Sequence, residues 1–375
     1  MSRIFCNKTV LLLLVLLAAV SCRRQKIRQV HEMPIVISAP SFAGTKADIG
    51  GVNDLQTSNK AFGVFGYKTK LDDNPNTFYQ LFYNTPVYYS NNTWAYTPTR
   101  YWDSNPNVSY QFIAYWPHRE SNIVPTSLND ISSTEHMAVT LEDIPNWQDV
   151  SDDDNTVDYL KASEVGCYKS NNPDLNKFGD HTVHFTFDHI LAKLIIKGYY
   201  VGVQETHINI TDVTLKGTQY LSPSGTADYK CTPYANTSGF VQNTIEKLNA
   251  QQDVSQVLYN DSNDGCDIPE TAFKENEDAV ENTDYTPTPV CSWLVVPTSG
   301  WENLSLSITY SVGEGSSKTT VIEDVVFGSG NSHLMESGKS YILNLVFNTA
   351  GGIELEAMYV NKWENVDVDR PVFNW

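Results

Sequence analysis

What most constrains this chain is a pattern that returns from residue 32 to residue 361: short runs in which apolar and polar side chains alternate, bounded by clusters of Asn, Asp, Pro and Gly. A period of two belongs to a strand with one face buried, and the turn residues supply the chain reversals between strands. Stretches with the 3.6-residue period of an amphipathic helix are almost absent. The pattern predicts an all-β protein made of antiparallel sheets packed as sandwiches.

The first candidate strand covers residues 32–40, EMPIVISAP, alternating about Ile35 and Ile37 and stopped by Pro40. Others are predicted at 60–68, 77–83, 85–90, 93–96, 108–116 and 137–141, while a stretch ending at Tyr168 fits a strand or a short helix. Residues 184–202, HFTFDHILAKLIIKGYYVG, are rich in β-branched and aromatic side chains and read as one long core strand opening a second domain. In residues 207–215, Ile208 and Ile210 are in phase and Val213 or Leu215 is not, which predicts a bulge. Strands return at 292–297, 304–312, 319–327, 340–347 and 353–361. Residues 222–288 are polar with weak periodicity and read as surface elaboration, with a short helix at 241–249. A chain of 375 residues has room for two cores, so the expected division is an N-terminal β-sandwich domain at 32–180 and a C-terminal one at 181–375.

The first thirty residues bear on location. Arg3 and Lys8 precede an apolar run over 10–20, too short to span a bilayer as a stable helix but suited to the core of a secretory signal over 1–21. The run ends in Ala19-Val20-Ser21-Cys22, and small residues before a cysteine are similar to the lipobox of bacterial lipoproteins, whose new N-terminal cysteine is acylated; the alternative is an ordinary cleavage site beside a chance cysteine. An acylated Cys22 would anchor the protein at the outer membrane, followed by a basic tether over 22–31. Export would leave Cys167, Cys231, Cys266 and Cys291 in an oxidising compartment, where one or two disulfides are expected with the pairing open.

The net charge of −19 excludes nucleic acid as an expected partner, because no basic surface is there to displace counterions from phosphate. Catalysis is not expected either: G-x-S-x-G, a phosphate loop and H-E-x-x-H are all missing from the sequence. His181, His184 and His189 do not suit one metal ion, since strand positions three or five apart face opposite ways. Asp152, Asp153, Asp154, Asn155 and Asp158 lack the spacing and glycine of a calcium loop and read as a solvated acidic turn, so no metal or cofactor is expected. A binding role has one candidate, an aromatic platform for sugar rings drawn from Trp94, Tyr96, Tyr101 and Trp102, with Tyr115 and Trp116 nearby; the competing reading is core and cross-strand pairs.

Four segments, taken in order, carry a resemblance: HFTFDHILAKL at His184, CSWLVVPTSGWENLSLSITYSV at Cys291, LMESGKSYILNLVF at Leu334 and IELEAMYVNKWENV at Ile353. With the lipobox, the Thr45-Lys46-Ala47 loop and FGVFGY at Phe62, the chain resembles the fimbrillin family of type V pilus subunits, its Mfa-like branch in particular. The resemblance implies two transthyretin-like β-sandwich domains, export as a lipoprotein, and assembly with other pilus subunits in cell adhesion. It also implies that a protease cuts after a basic residue in the loop following the first strand, which leaves, so that a strand of the next subunit fills the groove. On this chain the removable strand would contain Ile35, Val36 and Ile37, and the cut would follow Lys46 in the Gly-rich loop 41–51; a cut at Arg28 would leave the strand in place. Residues 366–375, VDVDRPVFNW, fit either a donated strand or the last strand of the domain, with Pro371 interrupting the alternation. An accessory, tip or anchor position is therefore expected over a stalk position.

Overall fold

The computed structural model describes residues 33–42, 55–56, 60–70, 77–127, 138–151, 156–171, 173–174, 176–201, 207–221, 225–231, 244–246, 250–275, 279–297, 301–327, 335–348 and 353–362. Cys22, Arg28, Lys46, the acidic residues 152–155 and the segment 366–375 lie outside them.

The described chain is nearly all strand. It opens with β1 (Val36–Ile37), β2 (Ser41–Phe42), β3 (Phe62–Lys70), β4 (Phe78–Ser90), β5 (Thr93–Ala95) and β6 (Val108–Trp116). Next come β7 (Ile123–Pro125), β8 (Val139–Pro145), β9 (Trp147–Asp149), β10 (Leu160–Cys167), β11 (Thr182–Val183), β12 (Thr186–His189) and β13 (Ala192–Val201). Then follow β14 (Ile208–Leu221), β15 (Thr226–Cys231), β16 (Thr244–Glu246), β17 (Ala250–Asn260), β18 (Cys266–Ile268) and β19 (Phe273–Lys274). The last are β20 (Thr288–Val295), β21 (Trp301–Val312), β22 (Lys318–Ile322), β23 (Lys339–Asn348) and β24 (Ile353–Lys362).

Most strand pairs are antiparallel, and the strands form a seven-stranded sheet in the order β2-β12-β10-β6-β3-β4-β5, a six-stranded sheet β24-β23-β13-β20-β9, with β19 beside β13, and a five-stranded sheet β17-β14-β21-β22, with β18 beside β14. A four-stranded sheet β16-β15-β8-β7 and the short pair β1-β11 complete the set. The six- and five-stranded sheets close over one core: Leu194, Ile196, Leu343 and Leu345 come from one side, and Ile210, Leu215, Leu306 and Ile308 from the other. A second core lies on one face of the seven-stranded sheet, with Phe62, Val64, Phe112, Trp116 and Leu160 at its centre. The opposite face of that sheet presents Phe65, Tyr67, Ile113 and Tyr115 to a third core, shared with Val139, Leu141, Ala227 and Tyr229 of the four-stranded sheet. Close packing leaves Gly63 no room for a side chain, because a Cβ there would run into the Tyr115 ring.

The stretch 184–202 is not one strand. It divides into β12, which pairs with β10 in the seven-stranded sheet, and β13, which lies between β20 and β23 in the six-stranded one. The crossing at Ile190–Leu191 is fixed by backbone bonds from Ile190 N–H to the Tyr159 carbonyl, 2.8 Å, and from Gly338 N–H to the Leu191 carbonyl, 2.9 Å. Ser337 Oγ donates to the carbonyls of His189 and Ile190, each at 2.8 Å. Both faces of β13 are covered, since residues 192–200 are all buried, and that is why its apolar and polar residues alternate so imperfectly.

The polar stretch 222–288 is also corrected. β17 runs beside β14 over ten residue pairs, from Asp212↔Asn260 to Leu221↔Ala250, and Leu258 is buried in the core between the sheets. Thr244–Glu246, within the expected helix, is a strand paired with β15. Edge strands with one face in water need apolar residues only on the other, so β17 carries a weak signal. The bulge expected in 207–215 is present, with a register shift of β14 against β21 between Ile210 and Asp212. The order of strands in the sheets interleaves the two halves of the chain: β8 pairs with β15, β9 with β20, and β12 with β10.

Candidate functional site

The first strand occupies a seat built by two distant parts of the chain. On one side, Pro34 bridges Tyr101, Ile35 N–H donates to the Arg100 carbonyl at 2.8 Å, and Trp102 N–H donates to the Met33 carbonyl at 2.9 Å. On the other side the segment runs parallel to β11 and β12, with Val36↔Thr182, Ile37↔Val183, Ser41↔Thr186 and Phe42↔Phe187 in register. Val36 N–H donates to His181, Ser38 N–H to Val183 and Ser41 N–H to Phe185, at 3.1, 3.1 and 2.8 Å. The Tyr96 hydroxyl donates to the Ile35 carbonyl at 2.7 Å, and burial pushes that phenol's pKa up against a smaller lowering effect of Arg100.

The three residues expected in the removable strand divide by face. Ile35 and Ile37 are buried in the second core, whereas Val36 is 46% exposed. Alternate side chains thus fill the interior while the main chain completes a ladder, which is how one strand is held by a sheet and how another could replace it. Trp102 closes the floor: its indole N–H donates to the His181 carbonyl at 3.0 Å, and its ring stacks on Tyr168 and Phe178 at 5.1 and 5.2 Å. Val183, Phe185 and Phe187 belong to the same core. Without residues 33–42 the carbonyls of Val183 and Phe185 would lose their backbone donors, that of His181 would keep only the Trp102 indole, and this aromatic core would open to water.

The candidate sugar platform is not formed, and the competing core reading holds for most of its rings. Trp94 and Trp102 are buried, Tyr96 is half-buried and bonded to the first strand, and Tyr115 and Trp116 are fully buried; Tyr101 alone of the set is exposed. Trp94 packs at 5.2 Å from Phe62 and 5.3 Å from Tyr89, so the ring is part of the core on which the first strand rests. Other exposed large rings are Tyr79, Tyr83 and Tyr88 on β4. The sequence reading missed Phe178 and the carbonyls of His181, Val183 and Phe185 as parts of the seat; alternation of Val183, Phe185 and Phe187 was the available signal.

The histidines fall apart in space. His189 pairs with buried Asp158 through a 2.8 Å contact, while His184 meets Asp180 at 2.9 Å in solvent. Among the described residues no three His, Cys, Asp or Glu side chains converge on a point that would hold a metal ion. Cys167, Cys231, Cys266 and Cys291 are free thiols, and burial raises the pKa of Cys231 to about 12.

The described residues thus form sheets closed on apolar cores, with a seat for one extended segment. Residues 45–363 match the fimbrillin-like family model, and the chain belongs to that family. The fimbrium subunit Fim1C of Phocaeicola vulgatus is 22% identical over 275 residues, 68% of this chain and 68% of that protein. Among solved structures, a fimbrial protein from Bacteroides vulgatus is similar at 17% identity and a TM-score of 0.49, over 88% of this chain and 99% of that one. The fimbrial anchor protein Mfa2 from Porphyromonas gingivalis is 10% identical with a TM-score of 0.32, over 88% and 98% of the two chains.

Proposed function

We propose that this protein is exported as a lipoprotein acylated at Cys22, and that it joins other fimbrial subunits by strand exchange after a protease removes its first strand. Membership of the fimbrillin-like family supports the assembly role. The observation that carries the exchange step is the seat itself. Ile35 and Ile37 are buried and main-chain bonds flank the strand on both sides, so a replacement strand has both a ladder to complete and pockets to fill. Lys46 is the proposed cleavage residue, four residues beyond Phe42, the last residue of β2. The proposed place in the fimbrium is accessory, at the tip or the anchor, because Pro371 makes 366–375 a poor strand donor. The second reading, a surface lipoprotein that binds glycans through Trp94, Tyr96, Tyr101 and Trp102, is disfavoured by the burial of both tryptophans.

The test is the intact mass and N-terminal sequence of the protein isolated from its native envelope. A mature chain beginning at Ala47 is the expected result. A chain that begins at acylated Cys22, or after Arg28, keeps its first strand and overturns exchange at this seat.

A further inference from the structure

On the face of the six-stranded sheet turned away from its sandwich core, a buried lysine and a buried carboxamide are register partners, and a carboxylate contacts the lysine. Lys197 of β13 and Asn344 of β23 are direct partners in the parallel pairing of these strands. Paired residues on neighbouring strands sit about 5 Å apart and project to the same face. Both are buried, with side-chain exposure of 5% for Lys197 and residue exposure of 3% for Asn344. Lys197 Nζ lies 3.0 Å from Glu281 Oε1, contributed by the segment before β20. Asn344 Oδ1 is buried without a hydrogen-bond partner.

A buried carboxamide left unsatisfied is destabilising, and a buried ammonium needs a partner beside it. The same three groups are those required to join the two side chains covalently. We propose that Lys197 and Asn344 form an intramolecular isopeptide bond, with Glu281 as the proton carrier. The Lys197 ammonium gives a proton to the Glu281 carboxylate, and the freed amine adds through its nitrogen lone pair to Cγ of Asn344. Glu281 returns the proton to the carboxamide nitrogen, the Cγ–Nδ2 bond breaks, and ammonia departs with a second proton from Nζ. One C–N bond replaces another and ammonia is the by-product, so no oxidant or cofactor is required. Burial favours the step by stripping water from the amine and from the competing hydrolysis.

The bond would tie two parallel neighbours that are far apart in sequence, so tension along either strand would pass through a covalent link rather than through the ladder between them. This inference stands on β13, β23 and Glu281 alone and is independent of what happens at the first strand.

Intact-mass measurement of the full mature chain, with mapping of tryptic peptides, decides the matter. The native chain is expected to be lighter by about 17 Da, one ammonia, with the loss localised to a branched peptide joining the Lys197 and Asn344 segments. K197M and N344L chains should have their full calculated masses, and E281Q should accumulate the uncrosslinked form. A native chain at full mass, or a loss mapped to any other peptide, overturns the bond and leaves an ordinary buried ion pair. An E281Q chain that cross-links as completely as the native one overturns the role assigned to Glu281. Because the native chain supplies the decisive mass, a variant that fails to fold does not remove the test.

Discussion

Lys193 shows what a residue in the wrong-looking place does to a strand. Its ammonium is buried in the middle of the six-stranded sheet, and desolvation lowers its pKa from the usual lysine value to about 7. Between about pH 7 and its unfolded value near 10.4, the unfolded chain binds the proton that the folded chain has lost, so stability rises with pH over that range. Buried Cys231 acts in the opposite sense. Its thiol, raised to about 12 by burial, keeps its proton in the folded chain while the unfolded thiol ionises from about pH 8.5, so stability falls above that point. The midpoint of urea unfolding is therefore expected to climb between pH 7 and about 8.5 in the native protein, and K193M should flatten that climb. A native midpoint that is level or falling over this interval contradicts the neutral, buried lysine. Read alone, Lys193 among Ala192, Leu194 and Ile195 looks like the solvent-facing member of an alternating strand; only packing on the second face reveals its burial.

At the scale of elements, the first strand is the clearest case of sequence and structure agreeing. Ile35 and Ile37 were legible from alternation, and both are in the core. I35A and I37A are each expected to destabilise the protein, measured with the first strand still present, by about 2–4 kcal/mol. V36T, at a position 46% exposed, should change stability by no more than about 0.5 kcal/mol. Equal costs at all three positions in denaturant titrations would remove the alternating seat. The partner of the strand was not legible, because its parallel pairing with β11 and β12 joins residues more than a hundred positions apart. Nor was β17 legible as a sheet strand. Its sequence AQQDVSQVLYN offers few apolar residues, and what holds it is the ladder with β14 and the burial of Leu258. Trp94 and Trp102 left two readings open for the complementary reason: an aromatic in a polar loop-rich stretch reads the same whether it faces water or fills a core, and both fill the core.

The whole molecule is more interleaved than the division expected at 180/181 suggests. β8 and β9 leave the first half to pair with β15 and β20, and β12 returns from beyond residue 181 to β10. The third core, holding Tyr115, Leu141, Tyr229 and Leu294 together, draws on both halves. Fragments divided between Ile190 and Leu191 are thus expected to lack cooperative unfolding when expressed apart, since each loses strands that complete the other. A fragment of residues 191–375 that unfolds in one sharp transition would show that these shared strands are dispensable. By itself the sequence determined the strand content, most strand positions, the inward residues of the first strand and the fimbrillin-like family resemblance, because side-chain periodicity and turn residues act locally. Which strands are neighbours, which faces are covered twice, and which lysine stands in register with which carboxamide were decided by the tertiary structure alone, because those pairings join residues far apart in sequence and leave no periodic trace in it.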